Sequence, residues 1–223
     1  MNSIVGDSRA VTLKYYKHKF TELVDDIWGS PGLGLQEIVE LIEENIIYNH
    51  PPTQSGRSHY YIIGGICDIT TRLTAKNYQE VIFNMNEDRI ASFINKLDDV
   101  ANKILKLGVS PIFCTIFPMH LATWNNLRLK QHKTNTLNYQ GEYNTMQQKL
   151  EEHIDAINSH ITQMNSSRHY CTPLLHTNME KNRRNKKYLH YKLLTDGCHP
   201  GEPMKEKIIK SIDRAMLLNK NLH

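Results

Sequence analysis

Ser3-Ile4-Val5-Gly6-Asp7-Ser8 opens this chain with a short apolar run that stops at a glycine and turns through Asp7 into a serine. That order reads as a buried strand, a tight turn and the start of a helix, which delivers a side chain to the C-terminal end of a strand. His59-Tyr60-Tyr61-Ile62-Ile63-Gly64-Gly65 has the same form, an apolar and aromatic strand ending at two glycines. Pro111 to Phe117 is a further continuous apolar stretch, stopped by Pro118. Helical periodicity fills the intervals. Ser8 to about Phe20 or Leu23 reads as a polar helix. Gln36 to Ile47 places Ile38, Leu41, Ile42 and Ile46 on one face. Asp88 to Leu107 carries Ile90, Phe93, Ile94, Leu97, Val100, Ala101, Ile104 and Leu105 at helical spacing, and Gly108 follows as a C-cap. Glu142 to Met164 has the stripe Leu150, Ile154, Ile157, Ile161 and Met164, and Pro203 to Leu218 forms a closing helix. Strands alternating with helices predict an α/β fold with a parallel sheet covered on both faces. Ligands of such sheets bind beyond the C-terminal ends of the strands.

Near the other end of the chain stands Asp196-Gly197-Cys198-His199-Pro200. A serine nucleophile needs a base, and the base needs an orienting carboxylate. The short spacing of Asp196 and His199 lets one tight loop hold the carboxylate against one imidazole nitrogen while the other nitrogen faces a hydroxyl. Ser8, Asp196 and His199 are therefore the candidate catalytic residues. The Gly-x-Ser-x-Gly elbow of α/β-hydrolases is absent.

On these blocks the chain resembles the SGNH (GDSL-like) hydrolases. Gly6-Asp7-Ser8 matches the family's first block and Asp196-x-x-His199, followed by Pro200, its last. The family's second block is a glycine that enters a helix. Pro31-Gly32-Leu33-Gly34-Leu35-Gln36-Glu37-Ile38 fits it, with Gly32 as the match and Gly34 as the fallback. The third block, usually Gly-x-Asn-Asp, stands here as Gly65-Ile66-Cys67-Asp68, with Cys67 in the asparagine position. The resemblance implies a flavodoxin-like three-layer α/β/α sandwich whose mainly parallel sheet has about five strands, formed by residues 1–223 as a single domain. It also implies an ester or acyl hydrolase acting on a small-molecule substrate without a cofactor. Its oxyanion hole would be built from Ser8, Gly32 and Cys67. A thiol is a weak donor in place of an amide, so this hole is atypical. Asp68 reads as a cap for the segment that follows it. Cys67 reads as a small buried hydrophobe before it reads as a nucleophile.

Composition bounds the remaining possibilities. With 223 residues, 39% hydrophobic and 22% charged, the chain can bury a sizeable core. No run approaches a membrane span, and the start lacks the basic and apolar regions of a secretory leader. Four scattered cysteines predict reduced thiols and an intracellular setting, and the early first strand also fits a domain of a longer protein. His169, Cys171 and His176 have no common zinc spacing, so no metal is expected. His120, after Pro118, reads as an exposed side chain near the cleft. The net charge is only +4, but Lys181, Arg183, Arg184, Lys186 and Lys187 cluster in what reads as a loop, with Tyr188 and Tyr191 close by. Such runs are usually solvated faces. Placed at a cleft mouth, this one would suit an anionic substrate, or RNA or DNA, so a catalytically weakened nucleic-acid-binding module is the alternative reading.

Overall fold

A computed structural model describes residues 2–48, 58–75, 78–83, 86–132, 142–183 and 186–220. The chain begins with β1 (Asn2–Gly6), a short α1 (Ser8–Val11), a 3-10 stretch over Lys14–Lys19 and β2 (Asp26–Gly29). Next come α2 (Leu35–Tyr48), β3 (His59–Ile63), α3 (Ile66–Ile69) and a hairpin of β4 (Thr71–Ala75) with β5 (Tyr78–Ile82). Then follow α4 (Glu87–Lys106), β6 (Ser110–Phe113), α5 (Leu121–His132) and α6 (Tyr143–Ser167). A second hairpin, β7 (Glu180–Arg183) with β8 (Lys186–Leu189), precedes α7 (Glu202–Lys220).

The central sheet is parallel throughout, in the order β2-β1-β3-β6. Alternate side chains leave it on opposite faces. Val5, Tyr60, Ile62 and Phe113 join a core with α2, α4 and α6, whereas Ile4, Ile27, Tyr61, Ile63 and Ile112 join a second core with α1 and α7. This is the expected three-layer α/β/α sandwich. The strand order runs outward to β2 and then restarts on the other side of β1 at β3, so the topological switch point lies between β1 and β3.

The helices with the strongest apolar stripes fall where their periodicity puts them. α4 is also well closed. The Asn86 side chain accepts from the Arg89 N–H at its start, acidic Glu87 and Asp88 lie in the first turn, and basic Lys103 and Lys106 lie in the last. The polar helix expected from Ser8 onward is instead one α-helical turn followed by the 3-10 stretch, which buries no residue. Without an apolar stripe, nothing holds a longer helix against the sheet.

Four strands rather than about five form the sheet among the described residues. Ladder pairing of β6 stops at Phe113, short of the Phe117 boundary read from the apolar run, although residues 114–117 remain buried. Beyond it, backbone groups find other partners. Thr115 N–H donates to the Pro173 carbonyl at 3.0 Å, where a further strand would run. Two asparagines of α6, two turns apart, serve the same edge. Asn165 accepts from Phe113 N–H (3.3 Å) and donates to its carbonyl (2.8 Å), and Asn158 does the same for Ile116 (2.7 and 2.8 Å). A side-chain amide thus replaces the peptide of a missing strand, which buried backbone polar groups require. Asn125 of α5 clamps Val81 of β5 in the same way, at 2.9 and 2.7 Å.

Among the described residues, no helix is long and apolar enough to cross a membrane.

Candidate active site

Ser8, Gly32 and Cys67 follow the ends of β1, β2 and β3, three adjacent strands, by two, three and four residues. Their common edge is the C-terminal edge of the sheet, at the switch point. Gly6 makes the serine turn possible. A Cβ there would lie 1.8 Å from the Ile63 carbonyl oxygen of the neighbouring strand, so a side chain is excluded. Asp7 then caps α1, its Oδ1 accepting from Arg9 N–H at 2.8 Å, and Ser8 begins the helix.

The Asp196–His199 loop closes on itself before it meets the serine. Leu194 bridges Pro200, and Thr195 N–H donates to the His199 carbonyl at 2.9 Å. Asp196 Oδ1 accepts from the backbone N–H groups of Cys198 (2.9 Å) and His199 (2.8 Å). Its Oδ2 faces His199 Nδ1 at 2.6 Å, and His199 Nε2 lies 2.9 Å from Ser8 Oγ. Burial works against the Asp196 charge, but the His199 ring and the two backbone donors outweigh it and bring the carboxyl down to about 2. An ionised Asp196 can only accept. Nδ1 therefore carries the proton that points at it, and Nε2 is free to accept from the serine hydroxyl.

Three arginines and a tryptophan frame this arrangement, and none was singled out from sequence. Arg9, next to Ser8 and almost wholly buried, donates from Nη1 to the Phe117 carbonyl at 2.5 Å and from Nη2 to Cys198 Sγ at 3.8 Å. Its guanidinium also covers the Phe117 ring at 4.0 Å. One buried cation thus ties the serine turn, the end of the β6 stretch and the histidine loop together. Its placement directly after the serine was a signal, since a charged residue there must find buried partners. Trp124 leans on His199 with ring centroids 5.7 Å apart and is itself covered by Arg128 at 4.6 Å. The third, Arg72 of β4, sits with Nη2 3.4 Å from the place a Gly32 Cβ would occupy.

The remaining sequence candidates divide. Gly32 has φ +83°, a conformation that favours glycine, whereas the Gly34 N–H is committed to Glu37 Oε2 at 3.0 Å. Gly32 is the better hole candidate on that ground. Asp68 does not cap the segment that follows it, as expected, but α2, which precedes it: it accepts from Leu35 N–H at 2.9 Å, and it pairs with Lys96 of α4 at 2.6 Å. Cys67 is half-buried. Burial, with a smaller effect of the nearby Asp7 charge, pushes its thiol up to about 11, which leaves a neutral S–H at physiological pH. His120 is half-buried rather than exposed. Its Nδ1 is 2.6 Å from Thr123 Oγ1, its ring lies 4.7 Å from that of Tyr191, and its N–H donates to the Gly197 carbonyl of the histidine loop.

The basic cluster forms a hairpin, not the expected loop. Lys187 pairs with Glu180 at 2.9 Å, and Lys181 lies 6.0 Å above the Tyr188 ring. Arg183 and Lys186 pair through the backbone at its tip, and Arg184 lies outside the described residues. Between this hairpin and α6 is a cavity of about 150 Å³ lined by Glu151, Asp155 and Glu180 as well as Lys187, so acidic groups offset the basic ones there. His176 faces Glu180 at 3.7 Å. Among the described residues, no group of three or more His, Cys, Asp or Glu is placed to hold a metal ion.

No protein-family profile matches this chain, and no curated protein matches it. Solved structures do. A protein assigned as an acylhydrolase from Bacteroides fragilis superposes with a TM-score of 0.62 at 16% identity, over 100% of this chain and 88% of its own. A member of the lipolytic G-D-S-L family from Veillonella parvula gives 0.59 at 9% identity, over 97% and 99%. The C-terminal domain of the Drosophila Oskar protein gives 0.58 at 12%, over 96% and 87%. At these identities the likeness is one of fold: this chain shares the α/β fold of the acylhydrolase and the G-D-S-L-family protein.

Proposed function

We propose that this protein is a serine esterase or acyl hydrolase that works through Ser8, His199 and Asp196. The observation that carries the reading is the continuous contact from Asp196 Oδ2 through both His199 nitrogens to Ser8 Oγ, at 2.6 and 2.9 Å, closed by residues from opposite ends of the chain. Ser8 Oγ attacks the acyl carbonyl as its proton passes to His199 Nε2, and Asp196 stabilises the imidazolium that forms. The N–H groups of Ser8 and Gly32 stabilise the developing oxyanion, with the Cys67 S–H as a weak further donor. His199 then protonates the leaving alcohol. In the second half it takes a proton from water, which cleaves the acyl-serine and restores the Ser8 hydroxyl. Cys67, neutral by virtue of its raised pKa, is not the nucleophile.

A fluorophosphonate probe tests this directly. Wild-type protein should be labelled at Ser8 and should hydrolyse short p-nitrophenyl esters. Ser8→Ala and His199→Ala should each abolish labelling and lower turnover at least about a thousandfold. Labelling that persists in Ser8→Ala would place the nucleophile elsewhere. The nucleic-acid-binding alternative draws on Lys181, Arg183, Arg184, Lys186 and Lys187, but the pairing of Lys187 with Glu180 and the acidic cavity beside the hairpin weigh against a phosphate groove there.

A further inference from the structure

The asparagine that normally completes an SGNH oxyanion hole is Cys67 here, and an arginine from elsewhere in the chain stands beside the same spot. Arg72 Nη2 lies 3.4 Å from where a Cβ on Gly32 would be, on the side of the glycine that a side chain would occupy. Its charge also acts, weakly, to lower the pKa of the Cys67 thiol, against the larger effect of burial.

Arg72 has no carboxylate partner among the described residues. Asp68, the acid adjacent to Cys67, has both oxygens engaged elsewhere, one by Leu35 N–H and one by Lys96. The exposed cation therefore has no fixed counter-charge among the described residues, and an oxyanion forming beside it would supply one. Its backbone is held firmly. Arg72 pairs across the hairpin with Val81, and Val81 is the residue clamped at N–H and C=O by Asn125 of α5. The neighbouring residue on α5 is Trp124, which rests on His199. A single unit of β4, β5 and α5 thus carries one residue against the base and another against the hole.

We propose that Arg72 is a catalytic residue that donates a charge-assisted hydrogen bond to the oxyanion, taking the place of the absent asparagine amide. This rests on the serine-hydrolase reading. A guanidinium suits the task because its donors are fixed in a planar fork and its charge is permanent. It also explains why a weak thiol donor is tolerated at Cys67.

The test uses the full chain with p-nitrophenyl acetate, a neutral ester, and compares Arg72→Ala, Arg72→Lys and Arg72→Ala combined with Cys67→Asn. Loss of one hole donor costs about a hundredfold to a thousandfold in turnover, so Arg72→Ala should lower kcat about a hundredfold while KM moves less than about threefold. Arg72→Lys should keep the charge, lose the fork and fall between. Cys67→Asn should restore about tenfold in the Arg72→Ala background, more than it adds to the wild-type chain. Millimolar methylguanidine should raise the turnover of Arg72→Ala and leave Ser8→Ala inactive. An Arg72→Ala protein with wild-type kcat overturns the proposal, and so does a kcat loss that neither Cys67→Asn nor methylguanidine recovers. A defect confined to KM for a succinyl ester would make Arg72 an anchor for anionic acyl groups instead. Fluorophosphonate labelling separates the two levels. A reactive Ser8 with unaffected Arg72 variants removes this inference alone, whereas an unreactive Ser8 removes the hydrolase reading with it.

Discussion

Asp7 directly precedes Ser8 in the chain and Asp196 is bonded to His199, and their surroundings drive the two carboxyls in opposite directions. Asp7 is fully buried with Oδ2 unpartnered among the described residues. Desolvation raises its pKa against the partial offset of Arg9. Asp196 is also desolvated, yet its hydrogen bonds from His199 and the loop amides bring it down to about 2. An acid whose folded pKa is depressed contributes stability in full above its unfolded value, about 3.9, and loses it as the pH falls through the folded value. Asp7 has the reverse sign, and its protonated form favours the fold at low pH. Asp196→Asn should therefore lower the urea midpoint at neutral pH, and its gap from wild type should narrow between about pH 4 and about pH 2. A gap independent of pH would mean that the loop owes nothing to the Asp196 charge. The sequence made Ser8, Asp196 and His199 legible because their chemistry demands those residue types in short motifs. Arg72 and Trp124 stayed hidden because only the folded chain brings them to residues far away in sequence.

At the scale of elements, the asparagine clamps give the clearest energetic statement. Asn158 and Asn165 each satisfy a donor and an acceptor on the buried backbone beyond and at the end of β6. Truncating either to alanine orphans both groups. Each of Asn158→Ala and Asn165→Ala should cost about 2 to 4 kcal/mol, measured by chemical denaturation. A cost below about 0.5 kcal/mol would show that water or a shifted backbone replaces the clamp. These residues also show where sequence reading fails. α4 and α6 were legible because their apolar stripes repeat over several turns, but the same pattern treats Asn158 and Asn165 as polar interruptions. α5 is not legible in the sequence because Leu121, Trp124, Asn125 and Leu129 do not make a continuous apolar face. The β4–β5 and β7–β8 hairpins are short and polar, so nothing in their alternation sets them apart from loops.

At the scale of the molecule, both cores use the same four strands, one on each face. Neither can loosen without uncovering the sheet that the other needs. One cooperative transition is expected, with far-UV circular dichroism and fluorophosphonate labelling of Ser8 lost at the same urea concentration. Two separated transitions would divide the chain into independent units and contradict the single domain read from its motifs. The candidate site depends on this unity, because Ser8 and His199 belong to the first and last parts of the chain and meet only when the sheet is complete. The clamps of α6 have a further consequence at this scale. A terminal strand with unsatisfied amides is a template on which a second molecule can add its own strand, and sheets extended in that way lead to swapped dimers and fibres. With Asn158 and Asn165 occupying those positions, β6 offers a newcomer few vacant bonds at its outer side. The two asparagines thereby guard this chain against polymerising with itself.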